Sequence, residues 1–405
     1  MLITISGDDR PGLTARITTI LAEHEINVLD IGQAVIHDTL SMGVLVEIPE
    51  QKHRSRVQEA VEVFVGDQGL RARFGTISAA SYEQWVQAQG RARYIITLLA
   101  RKITASQLAR VTGVVSRHQM NIDSINRLSG RIPLGDVPAL SKACVEFSVR
   151  GPLADAPAFR RELLKVASAL EVDLAFQKDS MYRRNRRLVV FDMDSTLIEA
   201  EVIDELAKTA GAGEQVAEIT ERAMCGELDF SESFRRRVAL LRGLTEEVLG
   251  DLAKRLVITE GAEHLISTLR ALGYKTAILS GGFTFFAQHL QNKLGIDYIY
   301  ANELDIVDGI VTGEVSGIIV DGARKAQLLC QLADEEGIDL QQVIAVGDGA
   351  NDLPMLSIAG LGIAYRAKPL VKQSAEQSIS TLGLDAILYL LGISDRDQHP
   401  ALGQL

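Results

Sequence analysis

The stretch VVFDMDSTL, Val189 to Leu197, ends an apolar run with two aspartates, Asp192 and Asp194, one residue apart. In an extended strand residues i and i+2 point the same way, so these carboxylates repel each other unless something sits between them. Three further polar clusters follow: Ser280-Gly281-Gly282, Lys325, and GDGAND from Gly347 to Asp352. Each alone has a plain reading. Acids end strands by facing solvent, SGG is a glycine turn, a lone lysine is a surface residue, and GDGAND is a loop whose Asp and Asn cap a helix. Four such clusters at strand ends or on an adjoining helix form a set that could act on an anion. Gly281 and Gly282 permit close backbone approach at a helix start, Ser280 can donate, and a lysine can stabilise developing negative charge.

The elements that carry these clusters alternate. RLVVFD reads as a strand and is followed by helical segments from Glu201 to about Ile258 without clear strands. Beyond them come helix GAEHLISTLRALG and strand KTAILS, helix FTFFAQHLQNKLG and strand YIYANEL, helix RKAQLLCQLADEEG and strand VIAVGD, and helix NDLPMLSIAG with strand LGIAY. This order predicts right-handed βαβ units in a doubly wound parallel sheet. VVF, AIL and VIAV are continuous apolar runs, as strands covered on both faces require. Ligands of such sheets bind at the carboxyl ends of the strands, where Asp192, Ser280 and Asp348 are expected to converge.

The first half is read as two related β-α-β-β-α-β units, separated by a polar stretch around Gln84 to Gly90. His24-Glu25-Ile26-Asn27-Val28 aligns with His118-Gln119-Met120-Asn121-Ile122, an internal repeat. QKDSMYRRNRRL, Gln177 to Leu188, reads as a solvated basic linker and marks a domain boundary.

Composition bounds the function. The chain has 405 residues, 47% hydrophobic and 23% charged, which suits two or three globular domains. Its 42 Lys and Arg against 53 Asp and Glu give a formal charge of −11, which speaks against nucleic-acid partners. The N-terminus lacks a basic segment followed by a long apolar one, and no run of about 18 apolar residues occurs. Neither export nor a membrane span is expected, and the expected location is the cytoplasm. Cys144, Cys225 and Cys330 have no CxxC spacing and read as reduced thiols rather than a disulfide framework or a zinc site.

Over roughly residues 186 to 395, FDMDSTL, the SGG turn, Lys325 and VGDGANDLPML together resemble the haloacid dehalogenase superfamily, and the match extends through its phosphoserine phosphatase branch. The resemblance implies that Asp192 attacks phosphorus and forms an aspartyl-phosphate while Asp194 serves as general acid and base. It implies a Mg2+ ion held by Asp192, the Asp194 carbonyl and Asp348. A carboxylate attacking an anionic phosphate monoester needs a divalent cation, and an oxygen-rich ligand set suits Mg2+. Ser280, Gly281, Lys325 and Asn351 would then hold the phosphoryl group, with Asp352 orienting Lys325. In the same family reading the helical insertion is a cap, in which Glu201 holds the substrate ammonium, Arg237 its carboxylate, and Met224 and Phe230 shape the pocket. The implied substrate is O-phospho-L-serine and the product L-serine. Two alternatives are an amino-acid sensor with an inactive phosphatase-like domain, and a phosphatase of another small phosphomonoester.

The N-terminal repeat is similar to ACT domains, most clearly in GDDRPGLTARITTILAEHEINVLDI. Pro11 suits a helix's first turn and Gly12 lets backbone N–H groups approach a ligand carboxylate, although a tight turn capping a helix is the alternative. The resemblance implies an amino-acid effector, L-serine foremost, bound at an ACT interface near Asp8, Arg10, Gly12 and Asn27, and a homodimer. Counted back from the aligned histidines, Arg10-Pro11-Gly12 correspond to Thr104-Ala105-Ser106 in the second copy, which departs from the pattern. The expected organisation is two ferredoxin-like α+β modules (1–85 and 90–177), a linker (178–187), a doubly wound parallel core (188–200 and 260–395) and a helical cap (201–259).

Overall fold

The computed structural model describes residues 1–48, 51–88, 90, 92–131, 134–135, 140–224 and 227–398. The first repeat comprises strands Leu2–Asp8, Asn27–Ile36, Thr39–Glu47 and Arg71–Gly75 with helices Leu13–Glu23 and Gln51–Asp67. Its sheet runs second, third, first, fourth strand, all antiparallel. Leu40, Met42, Val44 and Val46 alternate inward onto Ile17, Ile20, Val57 and Val61, the period-two pattern of a sheet covered on one face. The polar stretch after it contains a helix, Ala79–Gln87, started by Ser78, whose hydroxyl accepts from the Ser81 N–H at 3.1 Å.

The second repeat has the same strand order, from Arg93–Ala100, Asn121–Arg127, Ala143–Arg150 and Asp173–Lys178, with helices Ala105–Arg117 and Ala156–Leu170. The repetition reaches the backbone. Glu25 (φ 54°) and Gln119 (φ 55°) are both left-handed just after helix ends, and each second strand slips register at the matching place, Val28/Asp30 and Ile122/Ser124. The helix starts correct the alignment made from the histidines. Ala105–Arg117 has 13 residues against 11 in Leu13–Glu23, so Gly12 and Thr104 occupy equivalent N-cap positions. The loop equivalent to Asp8–Gly12 is therefore Ala100–Thr104, which contains Arg101.

Unlike the first sheet, the second is covered on both faces. Leu99, Cys144 and Ala175 belong to one apolar cluster with Leu388 and Tyr389 near the C-terminal end. The Gln377 amide brackets the Phe176 backbone with bonds of 2.8 and 2.7 Å, and Asp173 accepts from the Ser380 and Thr381 N–H groups and the Thr381 hydroxyl. This seating corrects the reading of 178–187 as solvated. Arg183 and Arg186 are buried there, Arg183 paired with Glu146 and Arg186 donating to the Gln341 carbonyl.

The remaining sheet has seven strands with Leu188–Phe191 at its centre. Lys275–Phe283 and Val343–Gly347 flank it in parallel, followed outward by Tyr298–Val307 on one side and Leu361–Tyr365 and Gln377–Ile379 on the other. One edge departs from the expected alternation. Ile310–Ser316 returns antiparallel to Tyr298–Val307 over Asp308 and Gly309, both with positive φ as a tight hairpin demands. Because the chain continues from the central strand first to one side and later to the other, the ends of the central three strands form a crevice.

Between the central strand and its first neighbour lie helices Val202–Thr209, Gly213–Met224, Phe230–Ala239 and Glu246–Arg255. They pack through Leu206, Phe234, Val238, Leu249 and Leu252. The outgoing and returning segments pair: the Glu199 N–H donates to Val257 O and the Thr259 N–H to Leu197 O, both at 3.0 Å. Among the described residues no helix is long and apolar enough to cross a membrane. Cys144 and Cys330 are free thiols, and Cys225 lies outside the described residues.

Candidate active site

Asp192 follows the fully buried strand Leu188–Phe191 and is itself buried. Its Oδ1 accepts from the Met193 N–H at 2.8 Å and pairs with Lys325 Nζ at 2.8 Å. Lys325 comes from helix Gly322–Glu335 and is wholly buried, with Nζ also 2.6 Å from Asp352 Oδ1. Burial pulls the lysine's pKa down, but Asp192 and Asp352 outweigh it and hold the ammonium above its ordinary value. Asp352 spends its other oxygen on the Asp348 and Gly349 N–H groups at 3.1 and 2.9 Å. It thus orients Lys325 and fixes the GDGAND turn.

Burial, then the Asp352 charge, pushes Asp192 above the usual carboxylate range despite Lys325. Asp348 is raised to about 7 by burial and by Asp352 and Glu201, opposed by a 3.1 Å hydrogen bond from the Thr196 hydroxyl. Oxygens of Asp192, Asp348 and Asp352 lie within 4.8 Å of one another. Asp352 is engaged on both oxygens, whereas Asp192 and Asp348 each keep one oxygen without a protein donor among the described residues. Two hard, anionic oxygens at the end of buried strands fit a small divalent cation.

Asp194 directs Oδ1 to the Val202 N–H at 3.2 Å, which ties it to the first helix of the insertion. Burial, then Glu201 and Asp192, raises its pKa well above the ordinary value. A Cβ added to Gly282 would lie 2.6 Å from Asp194 Oδ2 and 2.7 Å from Met193 Cε, so a residue without a side chain is required there. Ser280 is buried and its Oγ accepts from the Gly282 N–H at 2.9 Å, leaving the hydroxyl proton free to donate. The SGG turn is held by a residue with no local signal in the sequence. Buried Asn302 donates to Gly281 O at 2.8 Å and accepts from the Val320 N–H at 2.8 Å. Thr196, the last residue of DMDST, also contributes, through its hydroxyl bond to Asp348 Oδ1.

A cavity of about 90 Å³ joins these groups to the helical insertion, with Asn351 and Gly281 on one wall and Glu201, Phe230 and Arg237 on the other. Phe230 begins its helix, stacks on Phe234 at 6.1 Å between ring centroids, and reaches Gly281. Glu201 is exposed as a residue, yet its carboxyl faces the cleft and accepts from the Ser195 hydroxyl at 2.8 Å; desolvation raises its pKa. Of the three consecutive arginines, Arg235 and Arg236 are exposed while Arg237 turns inward, and its buried Nε has no hydrogen-bond partner among the described residues. Burial pulls the Arg237 pKa below its ordinary value, opposed by the charges of Asp204, Glu201 and Asp194, of which Glu201 and Asp194 line the cleft. Met224 ends helix Gly213–Met224, but its side chain lies outside the described residues.

The four residues grouped as an effector site do not converge within one chain. Asp8, Arg10 and Gly12 are exposed at one end of the first sheet, where Asp8 pairs with Thr39. Asn27 pairs with Glu47 at the other end, beside Leu2 and Leu45, about 20 Å away along the strand. The helix Leu13–Glu23 separates them by its whole length. Gly12 is left-handed (φ 93°) at the helix start, which explains its identity through the turn alone.

Residues 189–357 match the haloacid dehalogenase-like hydrolase family, and residues 1–75 and 92–177 each match an ACT domain family. The chain is 40% identical to the phosphoserine phosphatase of Streptomyces coelicolor, over 99% of this chain and 94% of that one. It is also 40% identical to a phosphoserine phosphatase of Mycobacterium tuberculosis, over 97% and 93%. A crystal structure of a haloacid dehalogenase family hydrolase from Salmonella enterica superposes with a TM-score of 0.64 at 31% identity, covering 73% of this chain and 98% of that one.

Proposed function

Because the chain belongs to the phosphoserine phosphatase family of haloacid dehalogenase-like hydrolases, carrying two ACT domains, we propose that it hydrolyses O-phospho-L-serine to L-serine and phosphate through an aspartyl-phosphate on Asp192. The observation that carries this reading is the pairing of an anion-handling strand end with an inward-facing Arg237, whose Nε has no partner among the described residues, and an acid, Glu201, across one small cavity. A zwitterionic amino acid bearing a phosphate presents the complementary charges, and Arg is suited to gripping its carboxylate with two donors.

In this reading Asp192 attacks phosphorus as Asp194 gives its proton to the departing serine oxygen; Asp194 then takes a proton from the water that attacks the acyl phosphate. The raised pKa of Asp194 favours the protonated form needed first. Ser280 and Lys325 stabilise the charge on the phosphoryl oxygens. Asp192, Asp348 and the Asp194 carbonyl would hold a Mg2+ ion, which when bound neutralises charge between nucleophile and phosphate. The insertion acts as a cap that keeps bulk water from the acyl phosphate.

Replacing Arg237 with Ala is expected to raise the KM for O-phospho-L-serine by roughly 10- to 100-fold, while hydrolysis of p-nitrophenyl phosphate, which lacks the carboxylate, changes less than about threefold. An equal loss on both substrates would remove Arg237 from substrate recognition. The reaction yields an amino acid in the cytoplasm, and L-serine as product is the proposed effector of the first ACT domain through Asp8, Arg10 and Gly12. A homodimer formed by pairing of exposed sheet edges fits the long, wholly exposed edge strand Asn27–Ile36, which presents Val28, Ile31 and Ile36.

A further inference from the structure

The insertion is joined to the core by two segments, 197–199 and 257–259, that pair as a two-stranded hinge. Each carries a carboxylate at its edge, Glu199 on the outgoing side and Glu260 on the returning side. Arg366, just past strand Leu361–Tyr365, reaches both: Nη1 lies 3.3 Å from Glu199 and Nη2 3.1 Å from Glu260. Its backbone is left-handed (φ 44°), a conformation unusual for a non-glycine residue, and its N–H donates to Ile379 O at 2.7 Å. Glu260 is shared. Arg101 of the second ACT domain grips it with two parallel bonds of 2.9 Å. Beside it, Lys142 of the same domain pairs with Asp385, which is next to Leu384, whose N–H donates to Glu260 O.

We propose that Arg101 and Arg366 are positioning residues for the phosphatase reaction: the chain of ion pairs Arg101–Glu260–Arg366–Glu199 fixes the cap hinge from the second ACT domain. Glu199 is followed by Ala200, whose carbonyl accepts from the Ser195 N–H, and by Glu201, which receives the Ser195 hydroxyl, so the hinge edge is continuous with the segment bearing Asp194. Arg101 occupies the loop equivalent to Asp8–Gly12 of the first repeat. The second copy's departure from the effector-loop pattern thus has a physical use: the loop holds a hinge. Exposed single ion pairs contribute little, but a bidentate pair joined into a network is the case in which coupling is measurable.

The inference rests on the proposed reaction only for its kinetic readout. In the full-length chain, Arg101→Met is expected to lower kcat/KM for O-phospho-L-serine about 10-fold, the scale of a coupling between sites, with Arg101→Lys recovering part of it. Arg101 and Glu199 do not touch, so a relay predicts that Arg101→Met adds less than about twofold in a Glu199→Gln background. Hydrogen exchange supplies a readout independent of substrate: the amides of Glu199 and Thr259 should exchange at least about 10-fold faster in Arg101→Met. Unchanged exchange at the hinge, or fully additive effects of the two substitutions, would overturn the relay even if the enzyme prefers another phosphomonoester. Faster hinge exchange in a chain inactive on phosphoserine would uphold the relay and count against the substrate reading.

Discussion

Asp192→Asn is expected to lower kcat for O-phospho-L-serine by at least about 10^4-fold while leaving the folded state as stable as the parent or slightly more so. The two halves of this prediction have separate causes. The amide cannot attack phosphorus, and no neighbouring acid can substitute: Asp352 is closed off by Lys325 and two backbone N–H groups, and Asp348 starts from the next strand. Stability is spared because the triad Asp192, Lys325 and Asp352 carries one positive and two negative charges. Removing one negative charge leaves Lys325 paired with Asp352 and relieves repulsion from Asp352 and Asp348. Steady-state phosphate release and a thermal melt of the same sample check both halves. Activity within about 100-fold of the parent would remove Asp192 as nucleophile.

Lys325→Met has the opposite balance and is expected to damage both properties. It leaves Asp192 and Asp352 as neighbouring buried acids without a cation, a change that costs about 3–5 kcal/mol when one partner of a buried pair is removed. Protonation of one acid moderates the cost, so the variant should be less destabilised at acidic pH than at neutral pH. In the proposed reaction Lys325 stabilises the phosphoryl charge, and its loss should lower kcat by about 10^2- to 10^3-fold. The check is urea unfolding at two pH values together with kcat. A variant as stable as the parent at neutral pH would show that Lys325 is not the counter-charge that holds these acids.

The strand ends were legible in the sequence because continuous apolar runs and terminal acids are local signals. VVF ending in Asp192 and VIAV ending at Gly347 and Asp348 needed only the rule that doubly wound sheets gather ligands at their carboxyl edge. Asn302 was not legible, since its role is to hold a turn 21 residues earlier in the chain and nothing in YIYANEL distinguishes it. That Asn27 lies at the opposite end of the sheet from Asp8, Arg10 and Gly12 was not legible either, because similarity along a motif says nothing about which end of a sheet each residue occupies.

The seating of the second ACT domain on the core did leave a trace. LITIS alternates buried and partly exposed positions, while RYIITLLA is apolar almost throughout and buried from Ile95 to Ala100. A strand covered on both faces reads that way, and the covering partner was the phosphatase core. The same contact hid the character of the basic segment before Leu188. Four arginines in a polar run suggest solvent, yet Arg183 is buried against Glu146 of strand Ala143–Arg150, 37 residues earlier in the chain. Ion pairs such as Arg101–Glu260 join residues far apart in sequence and carry no local pattern.

The most direct test is phosphate release from a panel of phosphomonoesters, O-phospho-L-serine, O-phospho-L-threonine, glycerol phosphate and p-nitrophenyl phosphate, each with Mg2+ and with EDTA. The predicted result is metal-dependent hydrolysis with kcat/KM for O-phospho-L-serine at least about 100-fold above the substrates lacking an amino-acid group, since both Glu201 and Arg237 would contribute charge-assisted contacts. Equal rates across the panel, or full activity in EDTA, would contradict the account.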